Sequence, residues 1–216
     1  SFTILILACN YEGKPPILTE KLDQESKQPL NIILLIGDGM GLSQISSSFY
    51  LNDKLPNFAR FKTIGLINVI AANSKITDSA AGATSFACGI KTFNGAIGVD
   101  MSKKPVENIV ELLSKENYQT GLIATSSITH ATPASFYAHV ISRDWEEEIA
   151  VQMATSSIDF FAGGGLKFFQ NREDGKNILD LLKDNGFDIH TDVIDQKIDS
   201  SKRHGFLLGQ EEMLKM

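Results

Sequence analysis

A chain of 216 residues, 43% hydrophobic and 21% charged, is long enough to bury a substantial core and has the composition of a globular domain. Its formal net charge of −6, with no basic block beyond Lys103-Lys104 and Lys202-Arg203, argues against nucleic acid as a partner. Two cysteines, Cys9 and Cys88, are too few for a disulfide framework.

The apolar run from Phe2 to Ala8 stops at Cys9, and polar, proline-containing sequence follows. A short apolar stretch before a small residue reads as the core of a signal peptide, and Ile6-Leu7-Ala8-Cys9 resembles a bacterial lipobox. Residues 1–9 are accordingly expected to direct export, with lipidation at Cys9 giving a periplasmic or membrane-anchored lipoprotein. The competing reading is a small hydrophobic strand. Residues 10–30 carry three prolines and many charges and read as a tether. Residues 31–216 are then the folded part.

Within that part, Ile32 to Ile36 is apolar without alternation, as in a strand buried on both faces of a parallel sheet. It runs into Gly37-Asp38-Gly39-Met40-Gly41, and a helix is predicted from Ser43 to Tyr50. Strand, Gly-rich turn and helix open a doubly wound α/β domain, where sites collect at the carboxyl ends of strands. The dinucleotide fingerprint fails, because Leu occupies position 42 where a third glycine is needed.

Gly65 to Ile70 is the next predicted strand, followed by a helix from Ser79 to Cys88. Residues 106–113 form an amphipathic helix, with apolar positions 106, 109, 110, 112 and 113. Further strands are predicted at Thr120 to Ala124 and Ile158 to Phe161. Further helices are predicted at Trp145 to Met153 and Ile178 to Lys183, the last closed by Gly186. Alternating β and α predicts an α/β fold, a largely parallel sheet with helices on both faces.

Three places carry chemistry. In Ile76-Thr77-Asp78-Ser79-Ala80-Ala81-Gly82-Ala83-Thr84, Asp78 and Ser79 suit the N-cap and first turn of a helix. The free N–H groups and positive dipole end there favour a phosphate, and the small residues leave room above the backbone for one. Ser79 is placed to act as a nucleophile. Asp38, flanked by glycines past a strand, is a candidate metal ligand. Thr132 offers a hard oxygen, His130 can hold a metal or its water, and the Arg143 fork suits two phosphate oxygens. An ordinary capped helix, a turn aspartate and surface polar residues are the bland alternatives.

Together these segments resemble alkaline phosphatases. Ile76 to Thr84 fills every position of the family's nucleophile signature, and Gly37 to Gly41 matches its first metal motif. Cys88-Gly89-Ile90-Lys91, His130 to Ala134, Tyr137-Ala138-His139, Arg143-Asp144-Trp145 and Asp159 to Gly165 follow later family segments, so the likeness covers roughly residues 31–166. It implies a three-layer sandwich and a metal-dependent phosphomonoesterase with two Zn2+ and one Mg2+. Ser79 would be phosphorylated in the intermediate, and Asp38 would bridge the second zinc and the magnesium. Thr132 would ligate magnesium, with His130 in or near that third site. Arg143 would clamp the phosphate, with Asp78 positioning it. Phosphate monoesters and inorganic phosphate are the implied ligands and a homodimer the implied assembly. Diesterase or sulfatase relatives, or a non-catalytic anion-binding lipoprotein, are the alternatives.

The remaining ligands of such sites come as Asp-x-x-x-His and Asp-His. The four histidines, 130, 139, 190 and 204, follow Thr129, Ala138, Ile189 and Arg203, and none has Asp four residues earlier. The expectation is an amino-terminal portion of a longer enzyme, with weak zinc binding, little activity alone, and a sheet lacking strands with an apolar edge.

Overall fold

The computed structural model describes residues 31–170, 172–192, 198–199 and 201–213. The lipobox, signal and tether segments lie outside the described residues. The chain divides into two compact units, residues 1–36 and 37–216.

In the first unit, residues 31–36 take no regular secondary structure, and Ile33 and Leu35 are 84% and 80% exposed. The strand expected at 32–36 is therefore not formed. The strand expected at 65–70, in the second unit, is not formed either: Leu66 is 91% exposed. The reason is the same in both segments. A strand apolar on both faces is stable only between two hydrogen-bonded neighbours with both faces covered, and neither segment has that among the described residues.

The second unit is α/β. Its elements are α1 (Leu42–Leu51), α2 (Ser79–Cys88), α3 (Ile109–Lys115), β1 (Gly121–Ser127), α4 (Ala131–Ala134), α5 (Glu146–Thr155), β2 (Phe160–Gly164), α6 (Lys167–Gln170), α7 (Ile178–Asp184), β3 (Phe187–His190) and β4 (Arg203–Leu207). The four strands form one all-parallel sheet in the order β1-β2-β4-β3. Helices α5, α6 and α7 pack on one another, as do α2 with α3 and α4.

Caps explain where helices start. α3 begins three residues later than the apolar spacing suggested, because the Asn108 side chain accepts from Val110 N and Glu111 N, and Glu111 answers from N3. α5 opens on Glu146, Glu147 and Glu148, acidic residues that complement its positive end. Short elements such as α4, α6, β3 and β4 escaped sequence reasoning, because four or five residues carry too little periodicity.

The core lies under β2 and β4. Phe161, Phe169, Phe206, Ile149, Met153, Ile158 and Leu182 are each at most 1% exposed. Phe161 packs edge-on to Phe187, with ring centroids 5.4 Å apart. Gly205 makes room for that ring: a Cβ there would stand 2.4 Å from Phe161 Cζ. β1 pairs only with β2 among the described strands, and Ile123 on it is 77% exposed, so the sheet ends in an apolar strand.

Candidate active site

Asp78 is the N-cap of α2, in extended conformation, and its Oδ1 accepts from Ala81 N at 2.9 Å. Ser79 follows as the first helical residue, within the turn whose N–H groups precede the intrahelical ladder. α2 ends at Gly89, whose φ of 69° is the left-handed conformation that glycine takes without strain.

The small residues of α2 have a use the sequence reading missed. Ala80, Ala81, Ala83 and Ala87 are buried, and α2 packs on α4, where Ala131 and Ala134 are also buried. Alanines on both helices let the backbones approach closely and fix the Ser79 turn against the Thr132 turn. Thr84, the last signature position, is fully buried: its Oγ1 donates to Ala96 O at 3.1 Å and accepts from Gly98 N at 3.0 Å. It holds the loop that follows α2.

Ser79 Oγ donates to Asp38 Oδ1 at 2.9 Å, and Thr132 Oγ1 donates to Asp38 Oδ2 at 3.1 Å. One carboxylate thus joins segments 41 and 94 residues away in sequence. Arg143 Nη1 lies 3.4 Å from Asp78 Oδ2, and its Nη2 lies 3.0 Å from His130 Nε2. A guanidinium only donates, so His130 Nε2 accepts and the ring hydrogen sits on Nδ1. Arg143 N also donates to Gly95 O at 2.8 Å, while Gly95 N donates to Asp78 Oδ2 at 3.0 Å. The arginine is held by backbone and side chain to the residue that caps the serine helix. The six residues singled out from the sequence fall into two hydrogen-bonded sets, Ser79–Asp38–Thr132 and Asp78–Arg143–His130, joined where Asp78 precedes Ser79 at the start of α2.

Two supporting features were not anticipated. Asn94 accepts from Asp78 N at 3.0 Å and donates to Ile76 O at 2.9 Å, clamping the entry to α2. The Asn94-Gly95 pair, a strong turn signal, could have flagged this loop. Beneath the His130 turn, Glu146 Oε2 accepts from Thr129 Oγ1 at 2.6 Å and Ser127 Oγ at 3.1 Å. Burial first, and Glu146 second, hold the Tyr137 phenol well above its ordinary pKa; its hydroxyl donates to Ile128 O at 3.0 Å. His139 is structural: Nδ1 meets Gly98 O at 2.7 Å and Nε2 meets Glu111 Oε1 at 3.0 Å.

The donor set can be tested against the metals the resemblance implies. Adjacent vertices of a Mg2+ octahedron with bonds of ~2.0–2.1 Å stand about 2.9 Å apart. The Asp38 Oδ2 to Thr132 Oγ1 distance of 3.1 Å suits that, and both are hard oxygens. Zinc is different. Its sites need about three protein ligands each, usually with nitrogen or sulfur among them. Asp38 and Ser79 do not supply that, and among the described residues no group of three His, Cys, Asp or Glu close enough to hold an ion includes either.

Fold and site together define a parallel α/β protein in which Ser79 opens a helix beside the Asp38 carboxylate. Residues 30–212 match the alkaline phosphatase family profile. Alkaline phosphatase of Schizosaccharomyces pombe is 39% identical over 175 residues, 73% of this chain and 32% of the relative. Alkaline phosphatase 4 of Bacillus subtilis is 37% identical over 179 residues, 76% and 38% of the two chains. Among solved structures, alkaline phosphatase from the Antarctic bacterium TAB5 superposes with a TM-score of 0.78 at 52% identity, covering 82% of this chain and 52% of that one. A His-to-Asp mutant of that enzyme carries bound Mg. The chain belongs to the alkaline phosphatase family. It spans about a third of the length of these curated relatives, at 32% and 38%.

Proposed function

We propose that these residues form the phosphate- and nucleophile-bearing part of a phosphate monoester hydrolase acting through phosphoserine. The observation that carries the reading is the pair of hydrogen bonds from Ser79 and Thr132 to the two oxygens of Asp38. Ser79 Oγ attacks phosphorus as the alkoxide leaving group departs, and water later cleaves the phosphoserine to release inorganic phosphate. Arg143 offers its remaining N–H groups to two phosphoryl oxygens and opposes the charge spread over them in the transition state. Asp78 positions Arg143 and, by capping α2, aims Ser79 into the turn whose N–H groups face the anion.

Asp38 and Thr132 would hold Mg2+, with His130 near that third site and acting through a bound water, and Asp38 with Ser79 would contribute to one of two zinc ions. When bound, such ions supply Lewis-acid activation of hydroxyl and water oxygens. On this reading the Asp38 and Ser79 group of these 216 residues binds zinc weakly and turns over slowly. Export with a lipid anchor at Cys9, supported by the run Phe2 to Cys9, and assembly as a homodimer complete the proposal.

The test is calorimetric titration of inorganic phosphate into the chain with Mg2+ and Zn2+, beside acid-quenched labelling from a phosphate monoester. Arg143→Ala should weaken phosphate binding about 10- to 150-fold, the loss of one or two charge-assisted hydrogen bonds. Any label should sit on Ser79 and vanish in Ser79→Ala. Phosphate binding that needs no metal and ignores Asp38→Ala would favour a non-catalytic anion binder. Faster cleavage of diester or sulfate than of monoester would favour the sister activities.

A further inference from the structure

A second group of ligating side chains lies on β3 and β4 and shares no residue with the Asp38 group. Asp188 pairs directly with His204 in the parallel register, and His190 stands two residues further along β3, on the same face as Asp188. A carboxylate oxygen and one nitrogen from each histidine all lie within 4.8 Å of one another. His190 Nε2 is 3.7 Å from Asp188 Oδ1, and the two imidazoles stack at 5.9 Å between centroids, inclined by 17°.

His204 supplies the independent sign. It is only 4% exposed, and its Nε2 lies 2.9 Å from Asp199 O. A carbonyl oxygen only accepts, so Nε2 carries the ring hydrogen and Nδ1 presents a lone pair. That Nδ1 is buried and has no hydrogen-bond partner among the described residues. A buried, desolvated acceptor is costly unless something occupies its lone pair. An imidazole whose other nitrogen is fixed by a backbone carbonyl is the usual posture of a metal ligand.

We propose that Asp188, His190 and His204 form a site for a divalent transition metal of the class that Zn2+ represents, tying the sheet's terminal strand β3 to β4. Two imidazoles and one carboxylate suit Zn2+ and its neighbours, whereas Ca2+ and Mg2+ take oxygen ligands throughout. A tetrahedral ion with bonds of ~2.0–2.2 Å sets its ligand atoms about 3.4 Å apart. Closing the group to that spacing takes side-chain movements of roughly an ångström and a half or less. These fall to exposed Asp188 and part-exposed His190, while buried His204 stays fixed. Water would fill the fourth position.

The experiment uses the full 216-residue chain, stripped of metal and titrated with Co2+ alone, followed by visible absorption and thermal melting. The Asp38→Ala variant removes the other metal-binding carboxylate and should still take up one Co2+, with the absorption of a four-coordinate ion and a raised Tm. In that background Asp188→Asn or His190→Gln should weaken Co2+ binding at least tenfold and abolish the rise in Tm. Both positions reach solvent, so the result does not depend on replacing buried His204. Co2+ uptake indifferent to both substitutions, or absent from Asp38→Ala, would overturn the site.

Discussion

Residues 37–70 and residues 71–170 contain similar apolar side chains and use them in opposite ways. In the first stretch no residue is buried, and Leu42, Leu51, Ile64 and Leu66 are 77%, 82%, 90% and 91% exposed. In the second, Ala80, Ile97, Ile128, Ile149 and Phe161 are fully buried. Yet the poorly packed stretch contributes Asp38, the carboxylate on which Ser79 and Thr132 converge. The candidate site is thus assembled between a well-buried platform and a segment attached to it largely by polar contacts, including Lys91 Nζ donating to the carbonyls of Asn68 and Ile70. Apolar content alone does not produce burial; a partner surface does.

Four measurements would sharpen or break this contrast. The largest effect is expected in the platform core, where Phe161→Ala should cost about 3–5 kcal/mol in a urea melt because a ring between Phe169 and Phe187 leaves a cavity. A loss below 1 kcal/mol would show that the platform is not tightly packed.

Cys88 comes next. Burial first, and the Glu111 carboxylate second, push its thiol from 9.0 to about 11. Two pKa units mean about a hundredfold less thiolate near pH 8. In a Cys9→Ser chain, alkylation of Cys88 should be slower by roughly that factor than alkylation of a cysteine placed at exposed Leu66. Equal rates would remove the contrast. Because the folded pKa is the higher one, the neutral thiol's contribution to stability is complete below pH 9 and is lost as pH rises toward 11.

A smaller change is expected at the cap. Asp78→Ala should destabilise by about 0.5–2 kcal/mol and weaken phosphate binding by freeing Arg143. Asp78→Asn should restore most of the stability, since Asn caps as well as Asp, and little of the binding. Equal recovery of both would remove the positioning role. The smallest effect is expected at Leu66→Ala, within about 0.5 kcal/mol. A loss of several kcal/mol there would mean that the segment is packed after all.

What could be read before folding was whatever is encoded over short range. Asp78 as a cap and Ser79 as the first helical residue follow from local hydrogen bonding, and α2 spans the residues expected. The α/β alternation and the parallel sheet were legible because helices of seven to ten residues carry their own periodicity and short apolar runs between them mark buried strands. The six candidate site residues could be named from the combination of their segments and the family resemblance, each by itself reading as an ordinary cap, turn or surface residue.

Other features depend on where distant segments meet. Only the folded chain decides that Asp38 receives both Ser79 and Thr132, that Thr84 is a buried strut, and that Asp188, His190 and His204 gather on one sheet face. The sequence also could not say that 32–36 and 65–70 would stand outside the sheet, because an apolar run states a preference for burial without stating what buries it. Local chemistry is written residue by residue; convergence and burial are properties of pairs far apart in the chain, and only packing brings those pairs together.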